Sequence, residues 1–240
     1  MGEDRRDHPP PCPRDPRRPA DPKRLVAAGY DRMADAYLAA KPTHDPDLEA
    51  ALHATTAGVP PGGPVLDLGC GAGVPATAWL AARFTVTGVD ISARQIELAR
   101  QRLPGARLLH ADLAGPDLAR LLPAASFDAI IALYALIHIP RSEHPTVLGR
   151  IHAWLRPGGA FLATWPMTAW EGSEDDWEGW GAPMWWSHHG ADANLALLRS
   201  AGFTVEDATP RTQGGETWLW VRARRGEAAL SGPTGDERDT

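Results

Sequence analysis

Short apolar runs alternate along the chain with stretches whose apolar positions recur at helical spacing. The runs are "PVLDL" (64–68), "FTVTGVD" (84–90), "ARLLHAD" (106–112), "FDAIIAL" (127–133) and "AFLATW" (160–165), with "FTVEDA" and "ETWLWVRA" following at 203–208 and 216–223. Between them lie amphipathic stretches at 74–84, 92–103, 115–122, 142–155 and 191–202, the last ended by Gly202. "SARQIELARQRL" opens with Ser92 and Gln95 spaced as a capping box. An earlier helix begins at Pro22 behind Asp21, with Val26, Tyr30, Met33 and Tyr37 on one face. Such alternation predicts an α/β domain with a Rossmann-like, doubly wound parallel sheet covered by helices on both faces. Ligands of such sheets bind beyond the carboxyl ends of the strands, where the strand order reverses.

Composition narrows this frame. The 240 residues are 43% hydrophobic, enough for one domain with a full core, and the net charge of −6 argues against a nucleic-acid or anionic-membrane surface. No apolar run approaches the ~18 residues of a membrane span. Residues 1–21 carry six of the 23 prolines with few bulky apolar side chains. That arm and the tail 225–240 are expected to be disordered, leaving 22–224 as the folded domain. Without a secretory h-region, and with only Cys12 and Cys70, the chain reads as cytoplasmic and free of a metal site. Two lysines against 22 arginines suggest a GC-rich bacterial genome.

The chemistry starts where the first strand ends. "PVLDLGCGAGVPA" places Asp67 two residues before Gly69-Cys70-Gly71-Ala72-Gly73. A dinucleotide fingerprint wants a glycine at 74, which is Val74, and a P-loop wants Gly-Lys-Ser/Thr, which is absent. A carboxylate here would repel a pyrophosphate. It favours a cationic ligand whose approach to the main chain needs glycine, and S-adenosylmethionine (SAM) meets both demands. Asp90 ends the second strand, placed to accept from ribose hydroxyls, and Asp112 ends the third, placed to accept from an adenine amino group.

These motifs resemble the class I SAM-dependent methyltransferases: "VLDLGCGAG" their glycine motif, "VTGVDIS" and "HADLAG" their ribose and adenine acids, "FDAIIALYALIHIP" their fourth-strand motif, and "LRPGG" the turn before the fifth strand. The resemblance implies a seven-stranded sheet with an antiparallel last strand, "ETWLWVRA". It also implies a first helix, "GYDRMADAY", that closes over SAM with Tyr30 and Tyr37 toward the site. Asp67 with the loop Gly69, Cys70, Gly71 and Gly73 would hold the methionine end, Asp90 and Ile91 the ribose, and Asp112 and Leu113 the adenine. The main chain at Ala132 and Leu133 would close the pocket. The metal-ligand acids of the catechol-methylating type are not seen.

Residues 166–190, following the fifth strand, read as a substrate lid. Six of the ten tryptophans fall between 165 and 189, together with five acids. Trp165, Trp185, Trp186 and His189 are expected to wall the acceptor, and His138 or His188 to act as base. The expected activity is transfer of a methyl group to an oxygen, or a nitrogen, of a small molecule in bacterial specialised metabolism, releasing S-adenosylhomocysteine (SAH). The expected protein is a monomer or homodimer that binds neither nucleic acid nor membrane. A SAM-binding enzyme with another reaction, or a non-enzymatic SAM-binding module, stands as the alternative.

Overall fold

A computed structural model describes residues 21–41, 44–213 and 215–226. The predicted disordered arm and tail lie outside the described residues except at their inner edges. There Asp21 caps the first helix and Arg225 ends the last strand.

Helix α1 (Pro22–Ala40) starts as its sequence predicts, with the Asp21 carboxylate accepting from the Lys23 N–H at 3.1 Å and Pro22 in the first turn. A second helix, α2 (Pro46–Thr56), which the sequence pattern did not single out, has the same Asp-Pro start at Asp45. Then the alternation runs as expected: β1 (Pro64–Leu68), α3 (Ala76–Ala81), β2 (Thr85–Asp90), α4 (Ala93–Arg102), β3 (Arg107–His110), α5 (Pro116–Leu121), β4 (Phe127–Ala132), α6 (His144–Trp154) and β5 (Leu155–Pro166). The predicted lid contains a hairpin of β6 (Trp170–Glu174) and β7 (Met184–His188), which pair antiparallel. The chain closes with α7 (Ala191–Ser200), β8 (Phe203–Gln213) and β9 (Glu216–Arg225).

Seven strands form one sheet in the order β3-β2-β1-β4-β5-β9-β8. The pairings from β3 through β5 are parallel, and β9 runs antiparallel between β5 and β8. The predicted seven-stranded sheet and its antiparallel last strand are therefore observed. The direction of winding reverses between β1 and β4, so the loops after these two strands flank the crevice.

Alternation along each strand divides the core. Leu66, Leu68, Ile130 and Phe161 point to the side covered by Leu118, Val147, Ile151, Trp154 and Leu198 from α5, α6 and α7. Val65, Val86, Ile131, Leu162 and Trp220 point to the other side, under Leu48 and Leu52 of α2 and Leu80 of α3. Trp165 belongs to the first of these layers. It is 1% exposed, so the expectation that it walls the acceptor is corrected: the pleat at the end of β5 turns its ring into the core.

His144 opens α6 and bonds its own turn, its Nε2 donating to the Ile139 carbonyl at 3.0 Å. Burial pulls its pKa down to about 4. The unfolded chain therefore binds a proton between about pH 6.5 and 4 that the folded chain refuses, and this site costs stability as the pH falls through that window. His144→Gln keeps a donor for Ile139 and removes the titration. Its melting temperature relative to wild type should rise steadily from pH 7 to pH 4 in a series of thermal melts, and a constant difference would contradict the buried neutral imidazole.

Candidate active site

The glycine loop after β1 turns back on itself because three of its residues take positive φ: Gly69 at +77°, Gly71 at +52° and Gly73 at +84°. A Cβ on Gly69 would collide with the Cβ of Ala135, in the segment after β4, so this glycine also lets the two sides of the crevice meet. The loop is pinned by Gly69 and Cys70 N–H groups donating to the Val89 carbonyl at 2.7 and 3.0 Å.

Two carboxylates sit beneath it. Asp90 is buried, accepting from the Gly71 N–H on Oδ2 at 2.9 Å and from the Ser92 N–H on Oδ1 at 2.8 Å. Each oxygen keeps a second lone pair for a ligand hydroxyl. Burial pushes its pKa up, against those two main-chain donors. Asp67 is 3% exposed and accepts from Thr77 Oγ1 on Oδ2 at 2.7 Å. Among the described residues no protein group donates to its Oδ1. Burial raises Asp67 to about 6, offset in part by Thr77 and reinforced by the nearby Asp90.

The third acid is held differently. Asp112 accepts from the Ala114 N–H at 2.9 Å, and its Oδ2 lies 2.8 Å from Lys23 Nζ at the start of α1. The same ammonium reaches Glu143 Oε2 at 2.8 Å. Burial alone would lower the lysine's pKa, but the two carboxylates outweigh it and raise it. Helix α1 is further tied at Asp31, which accepts from Ser92 Oγ at 2.6 Å and from the Arg94 N–H at 3.0 Å, and at Asp35, which pairs with the Arg94 guanidinium.

One cavity of about 820 Å³ runs from these acids to an aromatic wall. On the inner side it is lined by Asp67, Gly69, Cys70, Gly71, Asp90, Ile91, Asp112, Leu113 and Leu133. On the outer side lie Tyr30 and Tyr37 of α1, Trp177 and Trp186 of the hairpin segment, Trp218 and Trp220 of β9, and His138. The rings pack edge to face, with centroids 5.6 Å apart for Tyr30–Tyr37 and 5.1 Å for Trp177–Trp186.

Most of the predicted cofactor residues thus meet in one place. Gly73 and Ala132 do not reach the wall: Gly73 turns toward Leu103 and Ala99, and Ala132 is buried in the core. Trp185 and His189 are not on the wall either. Trp185 contributes its carbonyl, to His138, and the His189 ring packs on His144 at 5.5 Å. His188 does line the cavity, its Nδ1 bonded to the Thr168 carbonyl at 2.9 Å.

His138 is not an open base. Its Nδ1 lies 2.8 Å from the Trp185 carbonyl and its Nε2 3.0 Å from the Tyr30 hydroxyl. Burial brings its pKa down to about 4, against the bond to Trp185.

Sequence reasoning missed Lys23, Thr77, Trp218, Trp220 and Gly29, and counted Trp177 only as one of the lid's six tryptophans. A Cβ on Gly29 would lie 2.6 Å from the Pro183 carbonyl, so this glycine lets α1 press against the hairpin. Its signal was a glycine inside an otherwise helical pattern, a choice that costs roughly 1 kcal/mol against alanine.

No group of three or more His, Cys, Asp or Glu among the described residues is placed to hold a metal ion, and no helix there is long and apolar enough to cross a membrane.

Comparison with known proteins agrees with this geometry. Residues 65–159 match a family model described as a methyltransferase domain. "Methyltransferase GfsG" of Streptomyces halstedii is 44% identical over 101 residues, which are 40% of this chain and 34% of that protein. The chain spans between 34% and 57% of the length of the curated relatives it matches. Among solved structures, 1,6-didemethyltoxoflavin-N1-methyltransferase of Burkholderia thailandensis, with its substrate and SAH bound, superposes with a TM-score of 0.62. It is 25% identical, over 83% of this chain and 85% of that one. The [4+2]-cyclase SpnF shares the fold, with a TM-score of 0.64 at 19% identity over 84% and 95% of the two chains. Residues 65–159 thus match a methyltransferase domain, and the order and directions of the seven strands are those of the class I SAM-dependent methyltransferase fold.

Proposed function

We propose that this protein transfers a methyl group from SAM to an oxygen or nitrogen of a small-molecule acceptor. The observation that carries the reading is the single cavity joining the strand-end acids to the aromatic wall, with a volume near the upper end of the roughly 300–1,000 Å³ typical of small-molecule sites. Donor and acceptor can then lie end to end in it without water between them.

The residues fit the cofactor. Asp67 Oδ1, free of protein donors and facing the glycine loop, suits an ammonium group. The open lone pairs of Asp90 suit two ribose hydroxyls, and Asp112, lining the same cavity, suits an amino group on a base. Bound there, SAM supplies a methyl group on a cationic sulfur, already activated for attack. The protein's part is orientation and exclusion of water, which in well-aligned systems reaches effective molarities of about 10⁵–10⁸ M. Tyr30, Tyr37, Trp177 and Trp186 provide flat apolar surfaces that fix a planar acceptor, while α1 and the hairpin shut out solvent.

A second reading keeps SAM as a bound charge for a different reaction. The shared fold of the [4+2]-cyclase favours carrying it forward, since one fold hosts unrelated chemistries. Production of SAH with an acceptor separates the two.

Calorimetric titration should show micromolar binding of SAM and SAH, none of NAD⁺, and loss of both sulfur ligands in Asp90→Ala. Binding of NAD⁺ instead would remove the reading. Because Asp67 titrates near 6, and a cationic ligand favours its ionised form, SAH affinity should fall about tenfold from pH 7.5 to pH 5. Asp67→Asn should bind weakly at both pH values; an unchanged pH dependence in that variant would put the titrating group elsewhere.

A further inference from the structure

One hydrogen-bonded chain on the cavity wall has its directions settled by chemistry. The Trp185 carbonyl can only accept, so the neutral His138 ring carries its proton on Nδ1, 2.8 Å away. Nε2 then holds a lone pair, and the Tyr30 hydroxyl 3.0 Å from it must donate. That hydroxyl has one proton. With it committed to His138, Tyr30 can meet any further partner, the Tyr37 hydroxyl beside it or a ligand in the cavity, only as an acceptor. The Tyr30 ring stands edge-on to His138 with centroids 5.4 Å apart, and the Trp186 ring lies on His138 at 4.5 Å, its buried Nε1–H without a partner among the described residues.

We propose that Tyr30 receives the proton of the methyl acceptor, that His138 acts behind it as a positioning residue and proton store, and that the acceptor is a planar molecule presenting a hydroxyl group. The inference rests on the cofactor reading above and adds the acceptor class and the proton path. As the acceptor oxygen bonds to the methyl carbon, the carbon–sulfur bond leaves its electron pair on sulfur. The acceptor's O–H bond breaks and its proton passes to Tyr30 Oη, while Tyr30's own proton passes to His138 Nε2. The imidazolium returns its proton to water afterwards.

A hydroxyl suits this path better than an amine. An amine attacks through a free lone pair and can keep its proton until release. A hydroxyl becomes strongly acidic as the methyl group arrives, and a weak base then suffices. His138, held low by burial, is such a base, and its neutral state between pH 5 and 8 keeps the Tyr30 hydroxyl turned away from the cavity.

The test uses the full chain loaded with SAH and two probes, 2-naphthol and 2-methoxynaphthalene, with binding read from tryptophan fluorescence. Wild type should prefer the naphthol about three- to tenfold, the worth of one net hydrogen bond. Tyr30→Phe should abolish the preference, with SAH affinity measured in the same variant so that both probes are compared at full SAH occupancy. In His138→Asn, the amide can keep a donor for Trp185 but offers Tyr30 no lone pair there. The Tyr30 hydroxyl is then free to donate, and the preference should move toward the ether. A merely structural Tyr30 would weaken both probes equally. A naphthol preference that survives in Tyr30→Phe, or SAH binding without naphthol binding in wild type, overturns the inference and leaves the cofactor reading standing. Failure of wild type to bind SAH removes both.

Discussion

Two carboxylates, Asp67 and Asp90, are buried side by side at the ends of adjacent parallel strands, where, among the described residues, neither forms an ion pair. An isolated charge in such a place is costly, and what offsets the cost here is one hydroxyl and two main-chain N–H groups. Much of the surrounding structure follows from supplying those donors. The loop after β1 must fold back far enough for Gly71 to reach Asp90, which needs positive φ at its glycines. Thr77 must enter α3 within its first turn to reach Asp67. Gly88, opposite Asp67 in the register of β1 and β2, leaves room for the Cys70 side chain, 2.9 Å from where its Cβ would be. Lone pairs left over after this arrangement face the cavity, and they are the polar part of the site.

The sequence made this half of the molecule legible because its determinants are local. Strand-end acids, a glycine loop and a capping serine are each read from a few consecutive residues, and parallel strands bury both faces, so their apolar runs stand out. The acceptor half was legible only in composition. Six tryptophans close together announced a wall, but not which rings form it. Trp165 falls on the core side of β5 because the pleat puts it there, while Trp218 and Trp220 come from a strand more than fifty residues later that lies beside β5. In the hairpin, β6 (WEGSE) has one large apolar side chain in five and β7 (MWWSH) runs its apolar residues together, so neither strand shows an alternating pattern.

His138 shows the same limit at the scale of one side chain. Its place after the fourth strand was readable, and the inference of proximity to the site holds. Its chemical state depends on a carbonyl 47 residues later and a hydroxyl 108 residues earlier, so no local pattern encodes it. Burial and these two partners turn a candidate base into the inner member of a pair whose outer member is Tyr30.

Helix α1 reaches Asp112 and Glu143 through Lys23, and His138 through Tyr30, contacts separated by 89 to 120 residues of chain. Closing loops of that length is entropically slow, whereas the β-α units fold against near neighbours in sequence. In synthesis order α1 is made first, yet the surfaces it needs are finished only when the hairpin after β5 is in place. A sheet without α1 docked on it would have an open trough, in which the two buried acids face water. Completion of the roof, rather than of the sheet, marks the birth of a working molecule.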